Sequence, residues 1–348
     1  MNKLNKIGVS ALCGSLAAIS AANAGDLTAT GGVDMSFVSN SDGTTGNPVG
    51  IGSNVTFKGS TELDNGWTVD YTIAEANGTA FSAATVTFTM GGLGKLNINQ
   101  GDSGNGVKAL DDKMPTAWEE AWGAGLNPGI NLVCGSCLSS NIMYTTPTIL
   151  GTTLTYTLAP EYGASDTADK TTTAAQTSAA ESQDLTININ PSLGTEFLSG
   201  LNIFAGGSSI TRHQGAADVD RDEYQVAGGA TFSLGPVSVG AQASGVYTGV
   251  ENDHTIYHTY KSRAFGVSFN INDDLSVSYG KHKSRKVGFR SSDVQSGENT
   301  RFVEVNSIQA AYTMGGASLR IASSTGENVG WSAGKDETTK TVSLSLAF

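Results

Sequence analysis

The sequence predicts an all-β fold, a 16-stranded antiparallel transmembrane β-barrel over residues 25–348. Sixteen segments alternate apolar and polar side chains with a period of two, the pattern of strands with one greasy and one wet face. The connections between them alternate short and long, as when tight turns lie on one side of a membrane and loops on the other. Beyond residue 24 no run approaches eighteen apolar residues, so no helix is available to cross a bilayer.

The first strand is read over 26–40, and the next two make the clearest hairpin, 53–76. Ile51, Ser53, Val55, Phe57 and Gly59 share one face, and Asn54, Thr56, Lys58, Ser60 and Glu62 the other. Leu63-Asp64-Asn65-Gly66 turns the chain with the Asn-Gly pair that two-residue hairpins demand. Trp67, Val69, Tyr71 and Ile73 then resume the apolar face. Further strands are read over 82–90, 95–101, 139–146, 152–160, 183–190, 200–209, 223–234, 236–248, 259–270, 275–284, 300–313, 316–323 and 338–348.

Short connections fall at 63–66, 91–94, 147–151, 191–199, 233–236, 271–274 and 314–315. The alternate ones are longer and polar, including 41–50, 102–138, 161–182, 210–222, 249–258, 285–299 and 324–337. A soluble sandwich explains each strand but not this alternation. The segment 300–313 fits poorly, because Glu304 and Asn306 fall on the lipid face before Ile308, Ala310 and Tyr312 restore the pattern. A β-bulge near Ser307 or a protein contact would accommodate them.

Hydrophobic residues make up 39% of the chain, with 44 glycines and 7 prolines. That is a low apolar content for one dry core, and it suits a barrel whose strands face water on one side. Lys3 and Lys6, the small and apolar stretch that follows, and Ala22-Asn23-Ala24 read as an export signal over 1–24. Its loss removes two positive charges and takes the formal charge from −12 to −14. So acidic a chain disfavours nucleic acid as a partner and favours cations over anions in any pore it forms.

Val342, Leu344, Leu346 and Phe348 share one face of the last segment, which resembles the closing strand of bacterial outer-membrane barrels. Three further stretches resemble the general Gram-negative porin family. They are the residues from Phe57 to Gly66, Gly91-Gly92-Leu93-Gly94-Lys95-Leu96-Asn97-Ile98, and Asn141-Ile142-Met143-Tyr144-Thr145-Thr146-Pro147 with Gly151. The resemblance implies a homotrimer in the outer membrane that passes small hydrophilic solutes and ions by diffusion, without cofactor or bound metal. It also implies that the third external loop, here 102–138, folds inward and narrows the channel.

On that reading Asp102, Asp111, Asp112, Glu119 and Glu120 on the loop oppose Lys58, Lys95, Arg320 and, further, Arg301 and His282 on the wall, setting a transverse field. A solvated loop is the plainer alternative. Trp118 and Trp122, four apart, would form an aromatic platform for a solute or pin the loop. Cys134 and Cys137 are read as a loop-stiffening disulfide. A redox pair lacks its strand-to-helix setting, and zinc lacks two further ligands. His254 with His258, and the acids from Asp218 to Glu223, are weak metal patterns more simply read as solvated. The basic run from Lys281 to Arg290 is placed at an external strand end, where lipid or lipopolysaccharide contact, a pore mouth or plain solvation all fit. A barrel enzyme would need a nucleophile–base–acid set that the four histidines do not supply, and a secreted non-channel β-protein would conduct nothing.

Overall fold

The computed structural model describes residues 27–41, 46–77, 79–101, 104–137, 139–163, 170, 179–191, 196–212, 221–249, 259–287 and 302–348. The proposed export signal, Asp102, Arg301, His213, His254 and His258 lie outside them. The strands are β1 (Leu27–Asn40), β2 (Val49–Glu62), β3 (Thr68–Ala76), β4 (Thr79–Thr89), β5 (Lys95–Gln100), β6 (Asn141–Thr145), β7 (Thr152–Ala159) and β8 (Ala179–Ile189). They continue with β9 (Leu201–Arg212), β10 (Glu223–Leu234), β11 (Val237–Tyr247), β12 (Thr259–Asn270), β13 (Leu275–Val287), β14 (Phe302–Met314), β15 (Ala317–Glu327) and β16 (Glu337–Ala347). Each pairs antiparallel with its chain neighbour, and β1 pairs with β16 from Gly32–Ala347 to Asn40–Thr339, closing the barrel. Closure satisfies every strand edge, which a wall in lipid requires.

The two faces separate as the alternation predicts. Phe37, Ile51, Phe57, Tyr71, Leu185, Phe265, Ile321 and Val342 are exposed on the outer surface, where lipid would cover them. Their neighbours in sequence point into the lumen and are polar or small, apart from Val38, which meets Gly125 of the inner loop. Tight turns join alternate strands at one end: Gly66 N–H donates to Leu63 O at 2.8 Å with Gly66 at φ 79°, a conformation open to glycine.

Two expectations are corrected. The connection between β3 and β4 lies at the long-loop end but is short, since β3 ends at Ala76 and β4 starts at Thr79, and Asn77 takes the left-handed conformation that asparagine tolerates (φ 55°). And β14 carries no bulge: its register with β13 and β15 is continuous past Ser307. Glu304 does face outward, but it is met there by Lys281 and by Lys283 at 2.8 Å, while Asn306 accepts from the Tyr279 hydroxyl at 2.9 Å. The inward positions Val303 and Val305 are fully buried against Leu126, Val329 and Trp331. The strand departs from the pattern because it packs on apolar side chains within the barrel.

Candidate functional site

What buries those lumen-facing residues is the segment between β5 and β6. Only matter inside the barrel can cover the inner wall, and the contacts of residues 105–137 run from β6, where Asn141 donates to Asn105, through β16 to Val38 of β1. Asp184 of β8, fully buried, accepts from Val107 N–H at 2.9 Å and from Ser136 N–H at 3.0 Å. One carboxylate thus ties the outgoing and returning arms of the loop. Gln225 of β10 accepts from Cys134 N–H at 2.6 Å and Gly135 N–H at 2.9 Å. The structure pairs the sulfurs of Cys134 and Cys137 around this turn.

Further along, Gln242 of β11 accepts from Lys113 N–H (3.0 Å) and donates to Leu110 O and Asp111 O. Gly240, Gly266 and Gly280 stand side by side in register across β11, β12 and β13. A Cβ on any of them would come within 2.7, 2.7 and 3.2 Å of Pro115, Pro115 and Ala121, so the row is a groove in which the loop lies. Gln309 of β14 accepts from Glu119 N–H at 2.9 Å and returns a bond to Glu119 O at 2.8 Å. Beyond, Thr341 donates to Ala124 O, and the Trp331 indole donates to Gly129 O at 2.7 Å. Val107, Leu110 and Val133 pack on Phe204, Ala227 and Val246 of the wall.

The loop carries its acids together. Asp112, Glu119, Glu120, Gln309 and the buried His282 line one small recess between loop and wall. Burial, and then the charge of Glu120, push the Glu119 carboxyl up to about 7. Burial pushes Asp112 up to about 6. Asp111 is paired with Lys108 at 2.5 Å.

Arg320 of β15 lies 5.9 Å from the Trp118 ring and 3.1 Å from Asp34 of β1. With Trp118 and Glu119 it lines an open lumen cavity of about 910 Å³. Lys58 is paired with Asp70 across β2 and β3 at 3.4 Å, and Lys95 stands at the short-turn end of β5. The site therefore brings Arg320 to the loop acids and leaves Lys58 and Lys95 on another part of the wall. Trp118 and Trp122 do not share a helical face: Trp118 lines the lumen cavity, whereas Trp122 packs toward Leu126 and the inner apolar cluster.

The family profile described as Gram-negative porin matches residues 8–348. The chain belongs to that family. Similar solved structures include Salmonella typhi OmpF in complex with daunomycin, with TM-score 0.66 and 11% identity over 93% of this chain and 98% of that one. The anion-selective porin of Comamonas acidovorans gives TM-score 0.63 and 13% identity over 93% and 99%. A trimer form of Vibrio cholerae OmpT gives 0.63 and 11% over 93% and 100%. Among curated proteins none matches. At these identities the likeness is one of fold, and the family places this porin in the outer membrane as a passive channel.

Asp184, Gln225, Gln242 and Gln309 went unremarked in the sequence. Each sits on the polar face of a strand, indistinguishable there from residues facing open water. The glycine row left a signal, since glycine inside a strand marks close approach of another backbone. The positions 240, 266 and 280 lie within three successive strands.

Proposed function

We propose that this porin is a weakly cation-selective diffusion channel for small hydrophilic solutes, narrowed by the 102–138 loop. The observation that carries the reading is the acidic cluster of Asp112, Glu119 and Glu120, with the Lys108-paired Asp111 beside it, on a loop tied to the inner wall near Arg320, itself paired with Asp34. Cations gain from such a field as they pass, and the net charge of the chain has the same sign. A similar structure is an anion-selective porin, so the fold does not set the sign; the charges in the lumen do. The same proposal takes residues 1–24 as an export signal and the assembly as a homotrimer. The Cys134–Cys137 disulfide then stiffens the returning arm of the loop.

The test is planar-bilayer recording of the purified porin under a potassium chloride gradient. The reversal potential is expected on the cation side, and the variant D111N/D112N/E119Q/E120Q is expected to move it toward zero. An unchanged potential would remove the loop from the selectivity argument. Trp118 over Arg320 favours a narrower version, in which a flat anionic group lingers at that pair; Trp118→Ala would then shorten blockade by an aromatic carboxylate while leaving conductance for small ions intact.

A further inference from the structure

We propose that the outer wall over β10–β14, toward the long-loop end, binds the phosphate groups of an anionic glycolipid of the outer leaflet. The alternation that makes this surface apolar stops abruptly there. On β12 the outward positions run Phe269, Val267, Phe265 and then Arg263 and Lys261; on β13 they run Val277, Tyr279 and then Lys281, Lys283 and Arg285. The registers set these side by side: Lys261 faces Arg285, Arg263 faces Lys283, and Phe265 faces Lys281. Five cations thus occupy two adjacent strands just above the apolar band.

Their local neutralisation is incomplete. Glu304 of β14 engages Lys281 and Lys283. Lys261, Arg263 and Arg285 are exposed and have no acidic partner among the described residues. Basic side chains at bilayer mid-depth cost about 2–4 kcal/mol each and much less near the interface. Lys261, Arg263, Lys283 and Arg285 stand beyond the Phe265–Lys281 pair toward the long-loop end, which places them among headgroups. Beside them the wall is flat: Val226, Gly228, Ala243 and Gly245 floor a surface groove of about 1090 Å³ whose rim is Lys261 and Arg263. A phosphorylated headgroup fits the rim, with guanidinium forks suited to phosphate oxygens, and an acyl chain fits the small-residue floor. A protein partner would have to desolvate three unpaired cations against an apolar floor, which charge complementarity disfavours.

The full-length porin is reconstituted in phosphatidylcholine nanodiscs doped with labelled bisphosphorylated diglucosamine lipid or with its dephosphorylated form, and retained label is counted after gel filtration. The porin is expected to retain the phosphorylated lipid, and the variant K261Q/R263Q/R285Q to retain at least about tenfold less, since each interfacial cation contributes on the order of tenfold or less. Lys281 and Lys283 stay in place so that Glu304 keeps its partners. Conductance, which these outward side chains do not touch, reports that the variant folds. Should the variant not fold, wild-type retention is measured against salt, and it should fall as ionic strength rises. Equal retention of both lipids, equal retention by the variant, insensitivity to salt, or displacement by inorganic phosphate alone would overturn the proposal. So would a change in subunit stoichiometry without loss of lipid, which would make the patch a protein interface.

Discussion

At the scale of single residues, the loop carboxylates make selectivity a function of pH. Glu119 is raised to about 7 and Asp112 to about 6, both chiefly by burial. A carboxyl raised in this way is negative above its pKa and neutral below it. The preference for cations should therefore be strongest at about pH 8.5 and weaken on acidification through 7 and then 6, with most of the change complete by about pH 5. Reversal potentials across that range check the sign, and E119Q should erase the upper part of the titration. A profile flat from pH 8.5 to 5 would mean that neither group faces the permeation path. Asp184 makes a second case. It accepts from both arms of the loop in a buried setting, so Asp184→Ala leaves those N–H groups unpaired at about 1–3 kcal/mol each. The loop arms should then loosen: single-channel records of Asp184→Ala are expected to show added open-state noise and faster proteolysis within 104–137, with the barrel still heat-resistant in detergent.

At the scale of elements, the strands were legible and the loop was not. Phe57, Tyr71 or Leu185 announces its face because alternation is a local property, readable from neighbours two residues away. The resting place of the loop depends on pairs far apart in sequence, such as Gln309 with Glu119 or Gln242 with Lys113, and no local pattern encodes them. Glu304 illustrates the cost: a misfit on the outward face was visible, but its cause, Val303 and Val305 packing inward on Leu126 and Trp331, lay on the other face. The glycine row joins the two levels. Filling it should push the loop away from the wall and into the lumen. Gly266→Leu sets side-chain atoms where Pro115 and Met114 now lie, so conductance is expected to fall while detergent heat resistance is kept. The same change at Gly59, where a Cβ would meet nothing within 4 Å, should leave conductance as it is.

At the scale of the molecule, the outer surface is not uniform around its circumference, and that asymmetry bears on assembly. The side over β12 and β13 carries five cations, whereas β1, β2 and β3 present Met35, Phe37, Ile51, Val55, Phe57 and Tyr71 and, among the described residues, one outward charge, Glu75 opposite Val55 toward the long-loop end. A subunit seam excludes water and lipid, so an unpaired charge in it costs several kcal/mol while apolar side chains gain by close packing. If three copies assemble, the seam therefore belongs on the β1–β3 side, and the cationic side faces outward to lipid. Phe57→Lys would bury three ammonium groups in such a seam. It should convert a trimer band in mild detergent to monomer and replace three-step channel insertions by single steps, while K261Q/R263Q/R285Q leaves both unchanged. The opposite pattern, with assembly lost on removing the cations and kept in Phe57→Lys, would move the seam to β12 and β13 and would remove the room for a lipid phosphate there.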